Sequence, residues 1–382
     1  MTTTTMAGLH VQVLQEKLLP ALAAVNRIAG VSHLPVTQSV LLTATEGVLT
    51  LRATNLQQAI SVTVGAKCEG TGAVLVEAAK LYQYVSTFAK DRIDLTVTDR
   101  TLLIACGRTK GRFPLTDTDE FPPAPKMAEE PLATMDAGAL RTAIRAVLLA
   151  VSTDTTRPVL TGAFVELDAR TAQFTSANGF QLITTRLALA SGPETERELL
   201  IPGAALRELD RLLGGDAGTV EIAADSARVR FRVGATELTT QLIAGVFPRY
   251  RALIPPPLDF RVTVGMEELT RAVRNCAVMG GRDKDDRITV RFEALPGEIG
   301  ALRLWSGEDA DRANETIIDA VIEGEPPSKI ALAEGQMGGV LGGITGKVTL
   351  EWSSFATPAV FVPVVGGREA MMAVVMPIFV QW

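Results

Sequence analysis

The chain has 382 residues, of which 47% are hydrophobic and 5% aromatic, and a formal net charge of −6. Its length predicts two or three domains, and its apolar content excludes extensive disorder. The acidic balance argues against a protein that grips nucleic acid with its whole surface, although one face of it could still be basic.

The three cysteines, Cys68, Cys106 and Cys276, are widely spaced and odd in number. This pattern supports neither a disulfide framework nor a zinc site, and a reducing cytoplasm is the simplest expected location. The Thr-rich residues 1–8 do not resemble a signal peptide. The charge-free apolar stretch at residues 370–382 is shorter than the roughly 20 residues of a membrane-spanning helix, so we expect no membrane segment.

Taken in chain order, the predicted elements repeat. A short strand that runs into an amphipathic helix is predicted three times, at residues 11–18, 133–140 and 262–269. A second pattern of the same kind follows each of these, at residues 74–81, 199–206 and 330–337. The chain therefore consists of three units of roughly 125 residues, each with two halves.

Each half contributes one helix followed by strands. The six helices are predicted at residues 15–29, 77–90, 136–151, 203–213, 266–279 and 334–344. Alternation of polar and apolar residues predicts strands at residues 48–53, 93–97 and 227–233. Such strands place one face in the core and the other in water.

Proline-rich segments mark the boundaries between the units. Residues 120–125 end the first unit, and residues 246–257 end the second. Proline stiffens such linkers, so we expect domains held in a fixed relative orientation. The predicted domains are residues 1–127, 128–257 and 258–382.

Short motifs along the chain resemble those of one family. The matching segments are residues 34–36, 40–42, 156–162, 178–182, 247–251 and 374–377. In this order, at these spacings and on a three-fold repeat, they are similar to the bacterial sliding clamps, the beta subunits of DNA polymerase III. The resemblance covers essentially the whole chain from about residue 9.

The resemblance implies an α+β fold with three repeated clamp domains per chain. Helices would line a central hole, and antiparallel sheets would form the outside of a ring made by two head-to-tail copies. Such a protein is not an enzyme, needs no cofactor, and encircles duplex DNA without reading its sequence. Its implied partners are the replicative polymerase, the clamp loader and other clients, which bind through short peptide motifs.

A hole that holds DNA should be lined by basic helices. The six predicted helices contain ten basic and eight acidic residues, a small positive excess in an acidic chain. A small excess suits sliding, because phosphate contacts carry no sequence information and few contacts give low friction. The residues expected to face DNA are Arg27, Lys80, Arg141, Arg145, Arg157, Arg207, Arg211, Arg271 and Arg274. For each of them, a solvated surface is the alternative.

In the family, a pocket between the second and third domains takes the client peptide. Matched onto this chain, its walls would be Leu160, Ala177, Gly179, Phe180, Leu182, Pro248, Leu253, Val360, Val374, Met376 and Pro377. Most are apolar side chains around a few backbone polar groups, as a peptide-anchoring pocket requires. Plain core packing is the alternative for each.

The rim of this pocket departs from the family pattern. Phe180 and Gln181 stand where relatives usually carry a basic or imidazole pair, and Ala177 replaces the usual Thr. The chain ends with bulky residues that include Phe379 and Trp382. An alternative interpretation is therefore a variant or additional clamp, phage-encoded or inhibitor-tolerant, with altered client preference.

The resemblance also implies the contact between the two copies. Phe113 and Leu115, at an edge of the first domain, would face Val278 and Met279 at a helix end of the third. Pro114 lies between the first two and either removes a donor from this seam or turns its nitrogen to water.

Enzymes remain a rival class on the residues alone. The sequence contains neither a phosphate-binding glycine loop that ends in Lys-Ser/Thr nor a GxSxG motif. The histidines lie far in sequence from Cys106 and Cys276. Residues 338–343 are glycine-rich but fall in a predicted helix, which favours close packing or local flexibility. The acidic residues 283–286 fit a solvated loop better than a metal site. The other hypotheses are a repeat-built binding protein that never encircles DNA and a hydrolase with an unrecognised site.

Overall fold

The computed structural model describes residues 9–30, 34–98, 100–214, 218–282, 286–298, 300–307 and 314–380. The expectations for residues 1–8, for Asp283 and Asp285 in the acidic loop, and for Trp382 lie outside the described residues. The chain divides into two compact units. The first comprises Met1–Ala137 and Arg211–Leu242, and the second comprises Gly138–Asp210 and Ile243–Trp382.

The described part of the chain contains helices at each of the six predicted places. They are α1 (Gln15–Ala29), α2 (Ala78–Ser86), α3 (Ala137–Leu148), α4 (Gly203–Leu212), α5 (Met266–Met279) and α6 (Gly338–Gly343). A further short helix, α7 (Gly367–Ala370), was not predicted. Helix α6 begins four residues later than expected, because Glu334–Gln336 forms a 3₁₀ turn instead. Its four glycines, each a weak helix former, keep it short.

The first unit contains a five-stranded antiparallel sheet. Its strands, from edge to edge, are β5 (Lys67–Glu69), β1 (His10–Leu14), β7 (Arg92–Thr98), β8 (Thr101–Cys106) and β9 (Thr109–Pro114). Strand β1 runs directly into α1, and the strand predicted at residues 93–97 is β7. Strand β9 is paired on one side only, so its other side is an open sheet edge.

The first unit also contains an eight-stranded antiparallel sheet. Its order is β10 (Ala133–Asp136), β15 (Thr219–Ala224), β16 (Arg228–Val233), β17 (Thr236–Gln241), β4 (Gln58–Gly65), β3 (Val48–Thr54), β2 (Ser39–Thr45) and β6 (Gly72–Glu77). Strand β17 of the second repeat pairs with β4 of the first, with Leu238 opposite Ile60 and Thr240 opposite Gln58. One sheet therefore spans the two repeats.

The second unit has a nine-stranded antiparallel sheet of the same kind. Its order is β14 (Arg197–Pro202), β11 (Gly162–Leu167), β12 (Thr171–Ala177), β13 (Gln181–Ala188), β26 (Met371–Val375), β25 (Ala359–Pro363), β24 (Lys347–Glu351), β18 (Arg261–Gly265) and β22 (Val321–Glu323). Strand β26 of the third repeat pairs with β13 of the second, with Val374 opposite Leu182. The second unit thus has the same kind of pairing between repeats as the first, where β17 pairs with β4.

A four-stranded sheet completes the second unit. It consists of β21 (Asn314–Asp319), β20 (Ala301–Ser306), β19 (Thr289–Leu295) and β23 (Ile330–Ala333). Strand β21 forms one edge of this sheet and is paired on one side only.

The predicted alternation is clearest in β16. Val229, Phe231 and Val233 are buried, whereas the arginines between them are partly exposed. Arg232 bridges the two neighbouring strands, since it lies 3.0 Å from the carboxylate of Glu221 and 2.9 Å from that of Glu237. Within the described residues, no helix is both long and apolar enough to cross a membrane.

Candidate peptide-binding pocket and basic helix faces

The floor of the predicted pocket is a buried apolar cluster in the second unit. Its members are Leu160, Leu182, Leu200, Phe247, Tyr250, Val360, Val362, Met372 and Val374. Four of the predicted pocket residues belong to this cluster, and Ala177 packs against it. The pairing of β13 with β26, and of β26 with β25, brings Leu182, Val374 and Val360 side by side.

The other predicted residues form an exposed apolar rim. Leu253 is 60% exposed, Phe180 52% and Met376 43%. Gly179 and Pro248 are also exposed, and Pro377 is half-buried. Apolar side chains held in water above an apolar floor can anchor an apolar segment of another molecule. The predicted set therefore separates into a floor that supports the fold and a rim that is free to bind.

The rim loop between β12 and β13 is held by an asparagine. The Oδ1 atom of Asn178 accepts hydrogen bonds from the backbone N–H groups of Phe180 and Gln181, both at 3.0 Å. Gly179 has a φ of +96°, which side-chain-bearing residues rarely adopt. The N–H of Met376 donates to the carbonyl oxygen of Phe180 at 2.8 Å and joins the loop to the C-terminal segment.

Gln181 does not belong to the rim, contrary to the expectation from the family pattern. Its side chain is buried, and its Nε2 donates to the carbonyl oxygen of Leu149 at 2.9 Å. Its Oε1 has no hydrogen-bond donor among the described residues. Phe180, in the bend just before β13, is exposed, so the two neighbouring side chains point in different directions. Of these two residues, Phe180 alone can change the rim chemistry.

Sequence analysis missed the aromatic part of the floor. The rings of Phe164 and Phe247 are stacked with centroids 5.2 Å apart, and Tyr250 meets Phe247 edge-on at 6.2 Å. The Tyr250 hydroxyl donates to Oε2 of Glu166 at 2.5 Å, and Arg251 lies 2.8 Å from the other oxygen of the same carboxylate. Burial and this hydrogen bond raise the pKa of Tyr250 to about 12.

The linker beyond Leu253 is fastened to the third repeat by a charged pair. Arg368 donates to the carbonyl oxygen of Pro255 at 2.9 Å and forms an ion pair with Glu351, which is buried. Glu351 also accepts a hydrogen bond from the N–H of Leu258 at 3.3 Å. These contacts fix the chain on the C-terminal side of Leu253, and no local sequence signal indicated them.

Several of the basic residues expected to face DNA are partly neutralised by their neighbours. Arg141 and Arg145 on α3 both bind Asp210 on α4, at 3.1 and 2.8 Å. Lys80 on α2 lies 2.7 Å from the carboxylate of Glu77, three residues earlier. The effective positive charge of these helices is therefore smaller than the number of arginines and lysines indicates.

Helix α5 carries an open basic face in the second unit. Arg271 and Arg274 are exposed and lie three residues apart, so they share one face of the helix. Together with Leu341 and Ile344 they line a groove of about 530 Å³. The remaining arginines expected to face DNA from helices lie where they were predicted. Arg207 and Arg211 lie in α4, and Arg27 lies in α1.

Arg157 lies at the pocket rim and on no helix. It precedes the 3₁₀ turn Pro158–Leu160 and pairs with Asp154 at 3.2 Å. A Cβ atom placed on Gly179 would lie 3.4 Å from its guanidinium Nη1. The guanidinium of Arg157 therefore lies beside the rim loop. Its expected contact with DNA stays a prediction.

The residues expected at the dimer seam differ in exposure. Val278 is 83% exposed and Met279 46%, at the end of α5. Phe113 is 9% exposed, and its ring packs on Tyr84 with centroids 5.4 Å apart. Leu115, just beyond β9, donates its N–H to the carbonyl oxygen of Arg100 at 2.9 Å. The α5 residues are thus open to a partner, whereas Phe113 already supports its own unit.

The cysteines lack the environment of a reactive nucleophile. Burial raises the pKa of Cys276 to about 11 and also raises the pKa of Cys68 and of Cys106. Activation of a thiol requires the opposite shift. In the part of the chain that the structure describes, no group of three His, Cys, Asp or Glu side chains could hold a metal ion.

Comparison with solved structures shows the class of fold. The crystal structure of the DNA polymerase sliding clamp from Bacillus subtilis matches 98% of this chain and 100% of its own, with a TM-score of 0.91 and 19% identity. A sliding clamp from Pseudomonas aeruginosa, crystallised bound to griselimycin, matches 98% of this chain and 100% of its own, with a TM-score of 0.87 and 23% identity. The protein therefore has the sliding-clamp fold.

Comparison of the sequences shows the family. Residues 9–125 match the family described as DNA polymerase III beta subunit, N-terminal domain, and residues 134–249 match its central domain. The beta sliding clamp of Synechococcus elongatus is 26% identical over 372 residues, which cover 95% of this chain and 97% of that protein. The chain belongs to the family of DNA polymerase III beta subunits, the bacterial sliding clamps.

Proposed function

We propose that this protein is a sliding clamp that encircles duplex DNA and tethers the replicative polymerase and other clients for processive synthesis. The observation that carries the proposal is the repeated strand pairing. Strand β17 pairs with β4, and β26 pairs with β13, so each repeat extends the sheet of the repeat before it. Repetition of one head-to-tail contact is what closes a ring.

The same pairing predicts how two copies would meet. By position in the repeat, β9 corresponds to β17 and β26, and β21 corresponds to β4 and β13. Both β9 and β21 are edge strands with one unpaired side. We therefore expect β9 of one copy to pair with β21 of another, with Val278 and Met279 covered near this seam. The three domains would be residues 1–127, 128–257 and 258–382.

Duplex DNA would pass along the helices. Arg271 and Arg274 offer a basic face, while Asp210 partly neutralises Arg141 and Arg145. A helix surface with few free cations would touch phosphates without holding them. The ring would then stay on DNA by enclosing it, and the protein would act in the cytoplasm as a mobile tether and not as a catalyst.

The pocket in the second unit would hold the peptides of client proteins. Leu160, Val360 and Val374 close the floor, while Leu253 and Met376 stand free at the rim. A peptide that inserts an apolar side chain among them removes its own apolar surface and that of the rim from water, which favours binding. The clamp loader and the polymerase would compete for this pocket.

Retention on DNA tests the ring. We expect the protein to remain on nicked circular duplex during gel filtration and to leave after the circle is cut. Light scattering should give twice the chain mass. The variant Val278→Asp places a charge in the seam and should reduce both retention and mass. Val365→Asp, at a similarly exposed position, should reduce neither. Equal loss from circular and linear DNA would overturn the proposal.

A clamp with altered client preference is the second candidate. Exposed Phe180 stands where relatives usually have a basic or imidazole residue, and Phe379 and Phe355 add exposed rings 6.4 Å apart near the end of the chain. Titration with a client peptide of an ordinary bacterial clamp tests this idea. A low-micromolar affinity, about −8 kcal/mol, would contradict it, whereas recovery of affinity in Phe180→His would support it.

A further inference from the structure

The first unit contains an open groove that repeats the design of the pocket rim. We call it the β4–β17 groove and define it by Leu56, Gln57, Pro123, Lys126, Arg228 and Gln241. Its volume is about 520 Å³. It lies where β17 joins β4, as the pocket lies where β26 joins β13.

The loop that borders this groove has the hydrogen bonds of the pocket loop. The Oδ1 atom of Asn55 accepts from the N–H groups of Gln57 at 3.1 Å and Gln58 at 2.7 Å. Asn178 does the same for the two residues at the equivalent positions of its own loop. The N–H of Gln241 donates to the carbonyl oxygen of Gln57 at 2.9 Å, as that of Met376 does to Phe180.

Leu56 is the unusual residue of this loop. It occupies the place of Gly179 and has a φ of +74°, a left-handed backbone conformation that a leucine rarely adopts. Its side chain is nevertheless 48% exposed at the groove. Asparagine or glycine would satisfy this backbone better. A strained position that holds an apolar side chain in water points to a binding role for that side chain.

The positive charge of the groove favours a ligand with an anionic group. Lys126 and Arg228 line it, and no Asp or Glu is among its described lining residues. Within the described part of the chain, neither Lys126 nor Arg228 has an acidic partner. Its deeper wall is polar, since Thr54, Gln58 and Thr240 are buried there. An anionic side chain next to an apolar one complements such a surface.

We propose that the β4–β17 groove is a second docking site for short client peptides that carry an acidic side chain next to an apolar one. The inference rests on the proposed role of the pocket as the first such site. The acidic group would lie between Lys126 and Arg228, and the apolar side chain would pack on Leu56 and Pro123. Because its deeper wall is polar, the groove would bind more weakly than the pocket.

The test uses the full-length protein and the pentapeptide Gly-Asp-Leu-Phe-Gly, capped at both ends and carrying a photoreactive benzophenone. Irradiation followed by mass spectrometry locates the labelled residues. We expect labelling in the pocket and, at higher peptide concentration, at residues 54–58 and 122–126. Labelling of the groove should persist in Met376→Asp, which blocks the pocket rim alone.

Three changes should lower groove labelling about fivefold or more and leave pocket labelling unchanged. They are Leu56→Gly, which removes the side chain and relieves the backbone; the double change Lys126→Glu and Arg228→Glu; and replacement of the peptide's Asp by Lys. The control Lys67→Glu alters an exposed lysine of the first unit outside the groove. Groove labelling that disappears in Met376→Asp, or that survives Leu56→Gly, would overturn the inference.

Failure of this inference can be told apart from failure of the proposed function. The groove variants should still be retained on circular DNA and still be labelled in the pocket. If the unmodified protein were not retained on circular DNA, the clamp proposal would be contradicted, whatever the groove binds.

Discussion

The hydroxyl of Tyr250 donates a 2.5 Å hydrogen bond to Oε2 of Glu166, and this contact ties the linker after the second repeat to strand β11. The carboxylate also meets Arg251 at 2.8 Å, so it serves two consecutive residues of the linker. Leu253 follows within the same 3₁₀ turn, Tyr250–Leu253. The hydrogen bond therefore helps to place an exposed rim residue over a buried floor.

The raised pKa of Tyr250 predicts a loss of stability at alkaline pH. An unfolded tyrosine ionises near pH 10, whereas folded Tyr250 does so at about 12. The contribution of this group is fully present below pH 10 and is lost as the pH rises from about 10 to 12. The loss should reach at most about 3 kcal/mol.

The variant Tyr250→Phe isolates this effect. At pH 7 it should be less stable than the unmodified protein by about 1–2 kcal/mol, because Glu166 loses a hydrogen-bond donor. The difference should shrink between pH 10 and 12, as measured by urea unfolding across that range. A difference that stays constant with pH would show that the hydroxyl is not protected in the folded state.

An exposed rim residue should affect peptide binding without affecting stability. Leu253→Asp is expected to weaken binding of a client peptide about tenfold or more, since it removes an apolar contact and adds an anion. Its unfolding free energy should change by less than about 0.5 kcal/mol, because the side chain is 60% exposed. Val246→Asp, on the same linker and 88% exposed, is the matched control. Equal effects of the two changes on affinity would argue against Leu253 as an anchor.

Removal of one carboxylate should strengthen DNA binding. Asp210→Asn frees Arg141 and Arg145 from their shared partner and should raise affinity for duplex DNA. The slope of log affinity against log salt should steepen by about 1. Glu194→Gln, which removes the same charge from an exposed loop, controls for net charge. Fluorescence anisotropy over a salt series measures the affinity and the slope. Identical slopes for Asp210→Asn and the unmodified protein would place these arginines away from DNA.

The glycines of α6 should not be equivalent. A Cβ atom at Gly339 would lie 2.6 Å from Cδ1 of Ile183 and 3.0 Å from Oε1 of Gln181. Gly339→Ala should therefore lower the unfolding free energy by about 1–3 kcal/mol. A Cβ atom at Gly338 meets nothing within 4 Å, so Gly338→Ala should be neutral or slightly stabilising. Thermal unfolding of the two variants checks this, and equal melting temperatures would mean that α6 moves freely to accept a methyl group.

Local patterns were sufficient to place the helices and many of the strands. The helix α5, predicted at residues 266–279, has those limits in the structure, because Val262–Leu269 changes from a two-residue to a helical period at one point. Residues 338–343 also form a helix, and of the two expected roles of its glycines, close packing and local flexibility, Gly339 and Gly343 fit the first.

Pairing between distant strands could not be predicted in this way. Gln58 and Thr240 face each other across β4 and β17, yet they are far apart in sequence. Nothing in either strand alone specifies its partner, since backbone hydrogen bonds are the same for any sequence. For the same reason the buried direction of Gln181 and the ion pair of Arg368 with Glu351 were missed.

One signal was present and went unused. Asn55 and Asn178 begin two loops that each end with a glutamine three residues later, Gln58 and Gln181. Asparagine often caps a turn by accepting hydrogen bonds from the following backbone. This repeated spacing would have indicated from the sequence that the two loops are equivalent.

The pairing of β4 with β17 also has a consequence for synthesis on the ribosome. Strand β4 ends at Gly65, but its partner β17 begins only at Thr236. At about 5–20 residues per second, the nascent chain displays an unpaired edge strand for roughly 9–34 s. Open edges invite pairing with other chains. This protein should therefore depend on nascent-chain chaperones more strongly than one in which each domain completes its own sheet.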